Sequence, residues 1–209
     1  MADKHSAVID EALAALAAGE AIVYPTETFY ALGVDALSLK ALERLFTIKG
    51  REPGKPVALI AADLTMAFAV AREVSAEARV LAQAFWPGPL TLVLPARDGI
   101  PDALVGEDGG VGVRVSSHPI ASALTARFRG PLTATSANLA GNPPASELVA
   151  ARLELGDKVK VFVDGGGLAG GAPSTVVAVD QGGIRILRPG AVSESQLVAA
   201  LKGDASGEA

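Results

Sequence analysis

Apolar positions at Val8, Ile9, Ala12, Leu13 and Leu16 recur at helical spacing, and Ser6 and Gly19 predict an N-cap before them and a stop after them. The period then changes. AIVYP (21–25) is an unbroken apolar run of strand length, leading into what reads as a polar loop, TETFYALG. Ser38 predicts the cap of a second helix through Leu42, Leu45 and Phe46, which delivers a basic loop, KGREPGK (49–55). VALIAA (57–62) reads as a strand, residues 64–85 as one or two helices ended by Pro87 and Pro89, and LTLVL (90–94) and VGVRV (111–115) as strands. Pro119 to Phe128 and Ser146 to Leu155 read as helices, and PLTAT (131–135) and KVFVD (160–164) as strands. STVVAV (174–179) and IRILRP (184–189) lie close enough for a hairpin, and Ser193 with Gln196 forms a capping-box signal before Leu197 and Leu201. This order predicts a single-domain α/β fold around a mixed, not purely parallel, sheet flanked by helices, over residues 6–201. Residues 202–209 read as a polar, disordered tail.

Composition narrows the chemistry. The 209 residues carry 18 Lys and Arg against 23 Asp and Glu, a net charge of −5. The absence of cysteine excludes disulfides, thiol nucleophiles and Cys-ligated metals, and two histidines leave little room for a His-based metal site. No stretch reaches the ~18 uninterrupted apolar residues of a membrane span, so a soluble, cytoplasmic protein is expected. The acidic balance argues against a primary nucleic-acid binder, whose affinity comes from neutralising phosphates.

Gly165, Gly167 and Gly170 satisfy G-x-G-x-x-G after a strand, but Pro173 and a β-branched strand follow, where a dinucleotide fingerprint must open a helix. No P-loop motif is present. Thr26-Glu27-Thr28 places two hydroxyls and a carboxylate at a strand's C-terminal edge, where ligands sit in open α/β sheets. Lys49, Arg51 and Lys55 concentrate positive charge, with Gly50 and Gly54 allowing close backbone approach. Trp86, between helix and prolines, reads as a structural anchor. Arg114 interrupts an apolar strand and must either lie on an exposed face or be paired with a partner, an anionic ligand among the candidates. Ser136, Asn138, Ser174 and Arg188 each end or follow an apolar run. Singly, each of these features has a loop or turn explanation. Together they describe a site without an activated side-chain nucleophile, suited to binding a polyanion and positioning reactants.

PTETFYALG, KGREPGKP, FWPGPLTLVL, VGVRVSSHP, TSANLAG, PSTVV and ILRPG occur in the order found in YrdC/Sua5-type proteins, and the chain resembles the short form of that family over about residues 6–200. The resemblance implies a twisted sheet with a concave, positively lined cavity. It implies a threonylcarbamoyl-AMP synthase, a nucleotidyltransferase joining L-threonine, bicarbonate or CO2, and ATP into threonylcarbamoyl-AMP and pyrophosphate. The product would serve tRNA processing, feeding the N6-threonylcarbamoyl modification of adenosine through downstream transfer proteins. By the same resemblance Thr28, Arg114 and Ser174 bind threonine. Lys49, Arg51, Lys55, Ser136, Asn138 and Arg188 bind ATP, with Lys49 and Arg51 stabilising charge. Mg2+ is expected with ATP, though no ligand motif announces it. Two positions depart from the family pattern: Ala31 stands where many members have Gly, and Ile60 where some have His near threonine. Two other readings remain: a double-stranded RNA or ribosome-associated module of the same fold, and a carbamoyl-transfer module like that of hydrogenase maturation factors. The missing cysteines weigh against the second.

Overall fold

The computed structural model describes residues 2–50, 56–180 and 183–204. The opening helix α1 (Ala2–Ala17) starts upstream of Ser6, so that serine is not its cap; Gly19, at φ +76°, ends it as its position predicts. Strand β1 (Ile22–Pro25) is followed by β2 (Tyr30–Gly33), which pairs with it antiparallel, Val23 opposite Leu32. The second half of the expected polar loop is therefore a buried strand. Its small, alternating residues concealed a hairpin whose turn is Thr26 to Phe29. Ser38 caps α2 (Leu39–Lys49), accepting from the Ala41 N–H at 3.3 Å. The chain continues through β3 (Leu59–Ala61), α3 (Leu64–Phe68), α4 (Ala76–Phe85), β4 (Leu90–Pro95), β5 (Gly110–Val115) and α5 (Pro119–Phe128).

The expected strand PLTAT is divided. β6 (Leu132–Thr133) pairs with β3, whereas β7 (Thr135–Ser136) pairs with β2. Between them, the Ala134 N–H donates to the Ala58 carbonyl at 2.8 Å, and the chain passes from one sheet to another. One expected sheet is thus two mixed sheets. After α6 (Leu148–Leu155) come β8 (Val161–Phe162) and the predicted hairpin of β9 (Thr175–Asp180) and β10 (Gly183–Arg188). The four-stranded sheet runs β7-β2-β1-β8 and the six-stranded sheet β10-β9-β4-β5-β3-β6. The last helix, α7 (Glu194–Asp204), extends into the segment expected as tail, and its capping box forms: the Ser193 N–H reaches Gln196 Oε1 at 2.9 Å, and the Gln196 N–H reaches Ser193 Oγ at 3.3 Å. Among the described residues no helix is long and apolar enough to cross a membrane.

Strand alternation explains the core and the cavity together, because successive side chains point to opposite faces. Leu90, Leu92 and Leu94 of β4, with Val111, Val113 and Val115 of β5, are buried in the main core. Their partners in alternation, Thr91, Val93, Gly110, Gly112 and Arg114, face a cavity. Trp86, 8% exposed, anchors the turn into β4 by donating Nε1–H to the Leu90 carbonyl at 2.6 Å. A second apolar cluster joins α1 and α5 to β1 through Leu16, Ile22, Tyr24, Ile60 and Leu124.

Candidate functional site

The cavity, about 740 Å3, opens between the two sheets. That volume lies in the range of pockets for small molecules and cofactors, about 300–1,000 Å3. Six of the nine residues expected from the sequence line it: Thr28, Arg114, Ser136, Asn138, Ser174 and Arg188. Arg51 and Lys55 lie outside the described residues. Lys49 is described, and it does not line the cavity.

The turn before β2 is held by Thr26, which donates Oγ1–H to the Phe29 carbonyl at 2.7 Å and accepts from the Thr28 and Phe29 N–H groups at 3.3 Å. This turn carries Thr28 to the cavity wall and Glu27 toward β5. Arg114, 6% exposed, pairs with Glu27: Nη1 donates to one carboxylate oxygen, while Ser116 Oγ donates to the other. The partner that the buried arginine required is thus present in the chain itself. Glu27 was legible only as part of a Thr-Glu-Thr turn, because its partner is 87 positions away.

Opposite, Ser174 Oγ lies 3.0 Å from Thr91 Oγ1, and Arg188 Nη2 donates to the Ser174 carbonyl at 2.8 Å and to its hydroxyl at 3.1 Å. Gly190 permits this approach, since any Cβ there would overlap the Pro173 carbonyl. Desolvation first, and the positive charge of Arg114 second, push the Arg188 guanidinium below its ordinary pKa. No carboxylate pairs with Arg188 among the described residues. A guanidinium so placed, near a second one, has the chemistry to accept an anion.

The loop after β7 forms the third wall. Asn138, 4% exposed, accepts at Oδ1 from Ser136 Oγ at 2.6 Å and from Lys49 Nζ at 2.7 Å, and its Nδ2 donates to the Asn142 carbonyl. Lys49 is the last residue of α2, not part of a loop, and is itself 4% exposed. Its ammonium also donates to the carbonyls of Ser136 and Asn138 at 2.8 and 2.7 Å. It braces the wall from behind. Ile60 belongs to the second apolar cluster and is fully buried there, so it adds no group to the cavity. Ala31 is among the lining residues and is buried in the second apolar cluster. The glycines at 165, 167 and 170 precede β9 and no helix, as the failed fingerprint implied.

The lining described contains no Cys, His or Lys. Hydroxyls, amides and arginines can grip and orient anions there, but no side chain is arranged as a covalent nucleophile.

The Sua5/YciO/YrdC family model, described as "Telomere recombination", matches residues 14–190. A threonylcarbamoyl-AMP synthase of Pyrococcus abyssi is 37% identical over 172 residues, 82% of this chain; the chain spans about half, 51%, of that relative's length. A putative threonylcarbamoyl-AMP synthase of Mycobacterium tuberculosis is 35% identical over 204 residues, covering 98% of this chain and 94% of its own. The crystal structure of P. abyssi Sua5 complexed with L-threonine superposes with a TM-score of 0.89 at 34% identity, over 92% of this chain and 57% of that one.

Proposed function

Since the chain belongs to the Sua5/YciO/YrdC family, we propose that it is a threonylcarbamoyl-AMP synthase, making threonylcarbamoyl-AMP and pyrophosphate from L-threonine, bicarbonate or CO2, and ATP. The observation that carries this reading is a nucleotide-sized cavity between two sheets, with Arg188 free of any described carboxylate partner and Arg114 nearby. The threonine nitrogen becomes a carbamate, and a carbamate oxygen attacks the α-phosphorus as pyrophosphate departs. Nucleophile and electrophile are both anions. The protein's task is therefore to hold them in line and stabilise charge on the leaving group. Arg114, Thr28 and Ser174 take the amino acid, with Arg114 facing its carboxylate. Ser136, Asn138 and Arg188 take the nucleotide, and Arg51 and Lys55 are assigned to its phosphates by their positions in the basic segment. Lys49 serves by shaping the Ser136–Asn138 wall.

Mg2+ is expected on the triphosphate, where it would neutralise phosphate charge. Glu107, in the cavity lining, is a hard oxygen donor that suits it, whereas Asp108 beside it accepts from Arg185 Nη2 at 3.0 Å. The product is a mixed anhydride that downstream proteins would use to modify tRNA in the cytoplasm. The double-stranded RNA reading gains nothing from a chain of net charge −5 in which Arg114 and Arg188, the described cations of the lining, face a cavity.

The test is pyrophosphate release by the purified chain with ATP, threonine and bicarbonate, with mass detection of the adenylate. Release should require threonine and bicarbonate together. Equal ATP turnover with either omitted would refute the proposal.

A further inference from the structure

We infer that Glu27 is a positioning residue of the amino-acid subsite, orienting the Arg114 guanidinium so that its remaining donors meet the substrate α-carboxylate. The inference rests on the synthase reading above. Glu27 comes from the turn of one sheet, and both of its carboxylate oxygens are engaged by the other sheet's β5 and the residue just beyond it. One accepts from Arg114 and the other from Ser116, two positions apart on the same face. Ser116 is itself fixed: it is 1% exposed, and its Oγ accepts the His118 N–H at 3.2 Å. Arg114 lines the cavity and Glu27 stands behind it.

A guanidinium binds a carboxylate best through two parallel N–H donors, and its long side chain loses rotamer freedom on doing so. Glu27 occupies one terminal nitrogen and removes that freedom before the ligand arrives. It also balances a cation that would otherwise be buried alone in the empty site. Arg114 is left with donors for a single carboxylate, while Arg188, without a described carboxylate partner, suits a more highly charged group. The two arginines thereby divide the cavity between amino acid and nucleotide.

The experiment titrates threonine at saturating ATP, and ATP at saturating threonine, for the full chain and for Glu27→Gln and Ser116→Ala. Melting temperature with and without threonine is read on the same samples. Glu27→Gln should raise the threonine KM roughly tenfold or more, as expected for a lost charge-assisted contact, with the ATP KM unmoved. Ser116→Ala, which keeps the ion pair but removes one anchor, should shift it the same way by less. A merely structural role would lower the melting temperature and move neither KM. Threonine KM unchanged, lowered, or moving together with the ATP KM overturns the inference; a lowered value would make Glu27 a competitor for Arg114. Should Glu27→Gln fail to fold, Ser116→Ala decides alone by the same criteria. If wild type releases no threonine-dependent pyrophosphate, the synthase reading fails. The positioning role then stands only if threonine still raises the wild-type melting temperature and Glu27→Gln abolishes that rise; no rise in wild type overturns both.

Discussion

Replacing Lys49 with methionine separates a brace from a phosphate ligand. Methionine keeps most of the stem's apolar packing and removes an ammonium that makes three short bonds, to the Ser136 carbonyl, the Asn138 carbonyl and Asn138 Oδ1. Two of those acceptors keep another donor: the Ser136 carbonyl retains the Asn138 N–H at 2.9 Å, and Oδ1 retains Ser136 Oγ at 2.6 Å. The Asn138 carbonyl loses the ammonium at a buried position, a loss of about 1–3 kcal/mol. The two other charge-assisted bonds add to this, and relief of the ammonium's own desolvation offsets part of it, for a net loss of roughly 2–4 kcal/mol. In a chain of this size that lowers the melting temperature by roughly 4–16 °C. The released loop carries Ser136 and Asn138, so the ATP KM should rise as well. Differential scanning calorimetry and ATP titration check both effects. An unchanged melting temperature with a raised ATP KM would refute the brace and restore Lys49 to the phosphates.

Two further outcomes follow from local chemistry. Burial lowers the His118 imidazole below its ordinary 6.5, with the Glu27 charge opposing, and its neutral Nδ1 accepts the Ile120 N–H at 3.2 Å as the cap of α5. The unfolded chain therefore takes up the proton first, so this contribution is complete above about pH 6.5 and is lost as pH falls through the lower folded value. The melting temperature of His118→Asn, which caps without titrating, should depend less on pH in that window than wild type; equal slopes would show that the histidine is not the cause. Ser193→Ala removes half of the α7 capping box and should cost about 1 kcal/mol, or roughly 2–4 °C in a thermal melt, with turnover per folded molecule unchanged.

Local periodicity made most of the elements legible. α5 has the limits its apolar spacing and Pro119 predict, Ser38 and Ser193 cap as their sequences imply, and the β9–β10 hairpin follows from two adjacent β-branched runs. These depend on contacts within a few residues, which sequence spacing records directly. The six candidate residues that line the cavity could be named because polar groups in or at the ends of apolar strands are anomalies within their own segments, and because their motifs stand in family order. The division of 131–136 between two sheets could not be read, since Thr133 and Thr135 differ only in which distant strand each finds, β3 or β2. Nor could the partners of the charges. Lys49 meets Asn138 across 89 positions and Arg114 meets Glu27 across 87, and no local pattern encodes which cation is turned inward to brace a wall and which faces the ligand. The sequence determined most of the strands, the caps at Ser38 and Ser193, and six polar residues of the cavity lining. Only tertiary structure decided each charge's role, because a buried charge is defined by the group that desolvation forces it to find.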